Sequence, residues 1–167
     1  LAESYGDAMA ATQDFRAATV AYLAAMERDT TRIKDIEGKV ISMIQYPESV
    51  DTVMAVLTER TELQERNDRV FNMYGMILME QNQFDLAYDF YIERDSIFRA
   101  NGSYLIFFIR EAERRQRPDM VVKAADYIIA NVDALGSTLQ ALWYRAAALT
   151  LMSRYDEALA DYREFID

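Results

Sequence analysis

A few side-chain groups in this sequence could be drafted for chemistry. Glu111 with Glu113, and Asp156 with Glu157, are neighbouring carboxyls, the raw material of an acid/base couple. Side chains adjacent or two apart on a helix do not share a face, so each pair reads as solvated surface. Arg114, Arg115 and Arg117 form a basic island that could grip a carboxylate or phosphate bidentately. The competing reading is a helix end, where cations suit the macrodipole. Gly38-Lys39 lacks the glycine spacing of a phosphate loop. Asn101-Gly102-Ser103 is either a glycosylation sequon or a turn. The chain contains no His and no Cys. That removes the commonest general base, the commonest metal ligand, thiolate chemistry and any disulfide. No catalytic residue, metal or cofactor is therefore expected.

Composition narrows the class further. The net charge of −10 disfavours nucleic acid, which needs a basic footprint, and anionic membrane surfaces; it favours basic partners. The longest apolar run, Tyr104 to Ile109, is far short of the roughly 18 residues that span a bilayer, so no membrane insertion is expected. The lack of Cys leans towards an extracytoplasmic, periplasmic home over the cytoplasm. The chain opens at Leu1 rather than Met, and is expected to be a piece of a longer protein. With only 5 Gly and 2 Pro, the sequence favours helices over strands joined by tight turns.

The elements that must position any site follow from an internal repeat. Gln83 to Tyr91 reads QFDLAYDFY; Arg154 to Tyr162 reads RYDEALADY; Asp14 to Tyr22 reads DFRAATVAY. Aligned on Ala18, Val53, Ala87, Ala124 and Ala158, the separations are 35, 34, 37 and 34 residues. Twelve residues before each stand Gly6, Ile41, Gly75, Ala112 and Ala146, small in all but one case. Small residues there let two helices approach closely. Expected breaks are Asp29 to Thr31 as caps, Pro47 in a first turn, Asn101-Gly102 with Ser103 as cap, Pro118, and Gly136 after Leu135. Glu62/Arg66 and Glu65/Arg69 are i,i+4 pairs expected to support helix on either side of the polar break at residues 65–68. About ten helices in five antiparallel pairs result.

These residues carry a resemblance. Phe71-x-x-Tyr74-Gly75-x-x-Leu78 followed by Ala87 and Tyr91 resembles the tetratricopeptide repeat, a helix–turn–helix unit. The unit with Leu142, Ala146, Leu149, Tyr155, Ala158 and Tyr162 is similar, as is the one with Tyr5, Gly6, Met9, Phe15, Ala18 and Tyr22. No unit has the usual closing Pro. Ile41 against Val53 should splay the second hairpin, and Arg115 stands where an apolar residue belongs. The resemblance implies an all-α, right-handed superhelical solenoid of antiparallel hairpins in a single array. Its repeats would be roughly 1–34, 35–68, 69–102, 103–138 and 139–167. The array would end uncapped, with Tyr162 and Phe165 near an open end.

The resemblance also implies a groove lined by first helices. On that reading Met73, Met76, Met79, Ile106, Ile109, Arg110, Trp143, Tyr144 and Ala147 face a partner. Trp143 is the strongest of these, because Leu142 already takes the core position. Met, Trp and Arg suit adaptable binding surfaces; the alternative is that these residues are core. The implied function is a non-catalytic scaffold or adaptor that binds a protein, peptide or partner helix. The alternative is a self-assembling or structural module, a homo-oligomer through the uncapped C-terminal end or part of a bacterial envelope complex.

Overall fold

The computed structural model describes residues 1–62 and 66–166, with Thr30 described by its backbone alone. Among them are ten α-helices: α1 Ala2–Ala11, α2 Phe15–Arg28, α3 Ile33–Met43, α4 Pro47–Glu62, α5 Asp68–Glu80, α6 Phe84–Phe98, α7 Ser103–Arg114, α8 Pro118–Asn131, α9 Leu135–Leu151 and α10 Tyr155–Ile166. A single 3-10 turn, Thr30–Arg32, precedes α3, and no strand occurs among the described residues. The chain divides into two compact units, Leu1–Ile77 and Leu78–Asp167.

One turn recurs. Two residues before α2, α6, α8 and α10 stand Gln13, Asn82, Gln116 and Ser153, each with positive φ (56–62°). The next residue returns its N–H five residues back: Asp14 to Met9, Gln83 to Leu78, Arg117 to Ala112 and Arg154 to Leu149, at 2.8–2.9 Å. This is the Schellman closure, which satisfies carbonyls orphaned at a helix end. Glycine usually takes the left-handed position. None of these four is glycine, so the sequence disguises its own repeat.

In the first unit, α1 and α2 pack closely because Gly6 admits the ring of Tyr22. A Cβ on Gly6 would lie 2.6 Å from that ring. The Tyr22 hydroxyl donates to Asp7 (2.9 Å), and Lys39 on α3 reaches Asp7 (2.6 Å) and Glu3 (2.8 Å). The core gathers Phe15, Ala18, Leu23 and Met26 of α2 with Ile36 and Val40 of α3, Val53 and Leu57 of α4, and Met73 of α5. As expected from Ile41, α3 and α4 touch along a much shorter length than α1 and α2 do.

In the second unit, α6 packs on α7, α7 on α8, α8 on α9, and α9 on α10. Arg115 occupies its apolar repeat position by pairing with Glu111 and Glu80. Burial pushes the Glu111 carboxyl up, but hydrogen bonds from Arg115 and Arg114 outweigh this and hold it below its usual range. Arg145 does the equivalent work on α9. It makes a bidentate bond to Asp161 of α10 (2.6 and 2.8 Å) and a third bond to Asp126 of α8 (2.7 Å).

Several expected helix ends are corrected. Ser103 does not cap α7; the buried Asp95 carboxylate does, accepting from the N–H groups of Gly102 (2.8 Å) and Tyr104 (3.2 Å). Gly136 lies inside α9, which starts at Leu135 after an extended break at Val132 and Ala134. Pro47 and Pro118 open α4 and α8 as expected. Asp29 caps the short 3-10 turn rather than α3 directly. Arg66 pairs with Asp68, and Arg69 donates to the Met26 carbonyl; Glu65 lies outside the described residues.

Candidate protein-interaction surface

The alignment residues of the repeat are all interior: Ala18, Val53, Ala87 and Ala124 are fully buried and Ala158 is 3% exposed. The partner-facing set divides in two. Met73, Met76, Met79, Ile106 and Ile109 are buried (0–7% exposed), so the folded chain does not present them to water. The reason is visible on each helix. Val70, Phe71, Met73, Met76, Ile77, Leu78 and Met79 run right round α5, and a helix apolar on all sides must be covered on all sides. On α7, Tyr104, Leu105, Ile106, Phe108 and Ile109 form a wide buried face, while Ser103, Arg110 and Glu113 on the opposite side meet water.

The remainder is accessible. Arg110 on α7 is exposed and makes no ion pair among the described residues. Trp143 is 49% exposed, while its neighbour Leu142 is buried. Tyr144 and Ala147 are half-buried. Tyr144, Ala147 and Leu151 form a line at helical spacing on α9, and α7 packs beside α9. Between them is a crevice of about 30 Å³, lined by Glu113, Arg117, Tyr144, Ala147 and Leu151 among others. That volume accepts a methyl group or one water. Trp143 stands at the edge of this face and leans towards α10. Its ring meets Tyr162 edge-on at 5.8 Å and Phe165 at 5.6 Å.

The basic island is spoken for. Arg114 and Arg115 bind Glu111. Arg117 makes a bidentate bond to Asp119 (2.8 and 2.9 Å), reaches Asn82 at 3.3 Å and stacks 4.3 Å over Phe84. Of the acid pairs, Glu111 and Glu157 each answer an arginine (Glu157 answers Arg154) rather than the neighbouring acid. No cluster of three potential metal ligands occurs among the described residues, and no described helix is long and apolar enough to cross a membrane.

Two surfaces escaped the sequence. The first is a stripe on α10. Tyr155 (63% exposed), Leu159 (51%) and Ile166 (80%) share a face with the half-buried Tyr162, beside Phe165 and Trp143. Only Tyr162 and Phe165 were expected near an open end. The second is a groove of about 680 Å³ on the first hairpin, lined by Tyr5, Ala17, Val20, Ala21 and Ala24 and flanked by Arg16 and Arg28. These α2 residues lie opposite Phe15, Tyr22 and Met26, which face the core. The signal was available: α8 carries Lys123 and Asp126 where α2 has Ala17 and Val20.

No family model matches the chain, and no curated protein matches it. Among solved structures, two of MamA are similar at 13% and 14% identity, each with a TM-score of 0.48. Those alignments cover 99% and 96% of this chain and 88% and 92% of the other. A third, YrrB, described as a TPR protein with an unusual peptide-binding site, is 13% identical with a TM-score of 0.44, covering 99% of this chain and 84% of that one. The paired helices, the recurrent turn and the buried repeat positions, rather than these distant likenesses, make the chain an all-α repeat protein of tetratricopeptide-like helical hairpins.

Proposed function

We propose that this chain is a non-catalytic protein-interaction scaffold that takes an apolar or amphipathic peptide, or a partner helix, along the face formed by α7 and α9. The observation behind this reading is the line of Tyr144, Ala147 and Leu151, with Trp143 at its edge; α7, which packs beside α9, carries an exposed Arg110 with no ion pair among the described residues, about one turn from Glu113 of the crevice. Aromatic anchors supply affinity where they desolvate, and a rim charge sets orientation and association rate. Ile106 and Ile109 hold this face from inside the second unit, while Met73, Met76 and Met79 act as core. The ligand that fits is a short apolar segment with a carboxylate placed to meet Arg110.

Peptide display against the chain and a Tyr144→Glu/Leu151→Glu variant tests this, once both show the same helicity and melting temperature. Peptides selected by the parent should share an apolar segment with a nearby acid and lose roughly tenfold or more in affinity for the variant, about 1.4 kcal/mol. Peptides that bind both equally would move the site off this face.

A second reading is a self-assembling or structural module of a larger complex, such as one in a bacterial envelope. The exposed α10 stripe favours it, since apolar patches of that kind mark association surfaces.

A further inference from the structure

The two ends of this chain carry complementary surfaces. On α2, Phe15, Thr19, Tyr22 and Met26 are buried, as are Val121, Ala125 and Ile128 on α8. The corresponding residues of α10 are Tyr155, Leu159, Tyr162 and Ile166, which the chain leaves largely bare. Tyr22 meets Gly6 of its own hairpin, but the face these positions share is closed by the hairpin that follows: α2 packs on α3 and α4, and α8 on α9. The stripe on α10 is thus a hairpin-receiving face with no hairpin on it.

At the other end, the outer side of α1 and α2 offers a long apolar groove walled by Ala17, Ala21 and Ala24, with Val20 (41% exposed) and Tyr5 (54%) at its margins. Small residues let a second helix come close, and the large side chains of α10 are of the kind that fill such a groove. The charges also match. Of the two arginines beside the groove, Arg16 already binds Glu59, which leaves Arg28. On α10, Glu157 and Asp161 are held by Arg154 and Arg145, which leaves Asp156 and Glu164. Arg28 and Asp156 make no ion pairs among the described residues. Opposite ends of two copies can bring Arg28 to Asp156; two grooves or two stripes cannot.

We infer that the groove of α1 and α2 is a binding site for the α10 stripe of a second copy of this chain. The contact joins two different surfaces, so it is heterologous: a pair keeps one free groove and one free stripe, and growth continues until the chains close or run out. This inference uses neither Arg110 nor Tyr144 and does not rest on the peptide-binding reading.

The test is sedentation by analytical ultracentrifugation over a wide concentration range with three proteins: the parent chain, a groove variant (Val20→Glu/Ala24→Glu) and a stripe variant (Leu159→Glu/Ile166→Glu). All four positions are at least partly exposed, and circular dichroism confirms each fold. The parent should form species that grow with concentration, and each variant alone should remain monomeric. Mixed together, the variants should form a dimer and nothing larger, since one supplies an intact stripe and the other an intact groove. A parent that stays monomeric throughout overturns the inference. So does a groove variant that associates as the parent does, which would mean that stripe meets stripe.

Discussion

Phe15, Thr19, Tyr22 and Met26 on α2 stand at the same repeat positions as Tyr155, Leu159, Tyr162 and Ile166 on α10. The first four are 0–8% exposed; Tyr155, Leu159 and Ile166 are 51–80% exposed. Residue type does not separate them, because both sets are largely aromatic and aliphatic. What differs is the packing: α3 and α4 lie against α2, and no described helix but α9 is packed closely on α10. In a stacked array a position is core or surface according to its neighbour, and stability becomes a sum over adjacent interfaces. The two ends also hold their own hairpins together differently. The first uses a glycine contact, Gly6 against Tyr22; the last uses an ion pair, Arg145 with Asp161.

The ion pair offers the largest expected effect. The Asp161 side chain is 6% exposed and receives two of the three Arg145 hydrogen bonds. Arg145→Met would strand that carboxylate, and breaking a buried pair by removing one partner costs about 3–5 kcal/mol. Chemical denaturation measures this. A loss under about 1 kcal/mol would mean that Asp161 finds water and that the last hairpin does not depend on the pair.

The comparison itself is tested by truncating matched positions. Met26→Ala on α2 should cost about 2–5 kcal/mol, since its side chain is fully buried. Ile166→Ala on α10 should stay within about 0.5 kcal/mol for the monomer. If both cost the same, α10 is covered in solution, and the concentration dependence of the Ile166→Ala effect would then show whether a second copy covers it.

A pair of glycines sharpens the contrast between contact and exposure. A methyl on Gly6 would meet the Tyr22 ring at 2.6 Å, whereas one on Gly38 meets nothing within 4 Å. Gly6→Ala should destabilise by about 1–3 kcal/mol through overpacking. Gly38→Ala, in the middle of α3, should stabilise by up to about 1 kcal/mol through helix propensity. Thermal melts of the two variants should move in opposite directions; a neutral Gly6→Ala would show that the α1 and α2 contact relaxes easily.

The helices were legible because the repeat writes its buried positions plainly: Ala18, Ala87, Ala124 and Ala158 are each flanked by aromatic or aliphatic residues at helical spacing. The helix ends were less so. The turns before α2, α6, α8 and α10 use Gln, Asn and Ser at positive φ instead of Gly, and Asp95 caps α7 from the preceding helix, seven and nine residues back, beyond the reach of a local capping pattern. Exposure along the candidate surface was less legible still. Periodicity identifies a helix face but not how many faces are covered, which is why Met73, Met76, Met79, Ile106 and Ile109 lie inside while Trp143 and Tyr144 do not. The groove on α2 was missed because alanine reads as a helix former before it reads as a wall.

The smallest effect concerns a hydroxyl. Burial, reinforced by the hydrogen bond to Asp7, pushes the Tyr22 phenol from its ordinary 10.0 up to about 12. A group whose pKa is raised on folding stabilises the fold while it stays protonated. That contribution is whole below pH 10 and is lost as pH climbs through 12. Asp7 has the opposite sign: the hydrogen bond from Lys39 holds its carboxyl below the usual range, so its contribution persists at neutral pH and fades only in acid. Tyr22→Phe should therefore cost about 1 kcal/mol at neutral pH and flatten the loss of stability above pH 10. Tyr155→Phe on α10, with its hydroxyl only 3.5 Å from Ser153 and exposed, should change neither. Denaturation at a series of alkaline pH values gives both curves. Parallel curves for the parent and Tyr22→Phe would show that Tyr22 ionises as freely as a surface tyrosine, and that the close packing of α1 on α2 does not shield it.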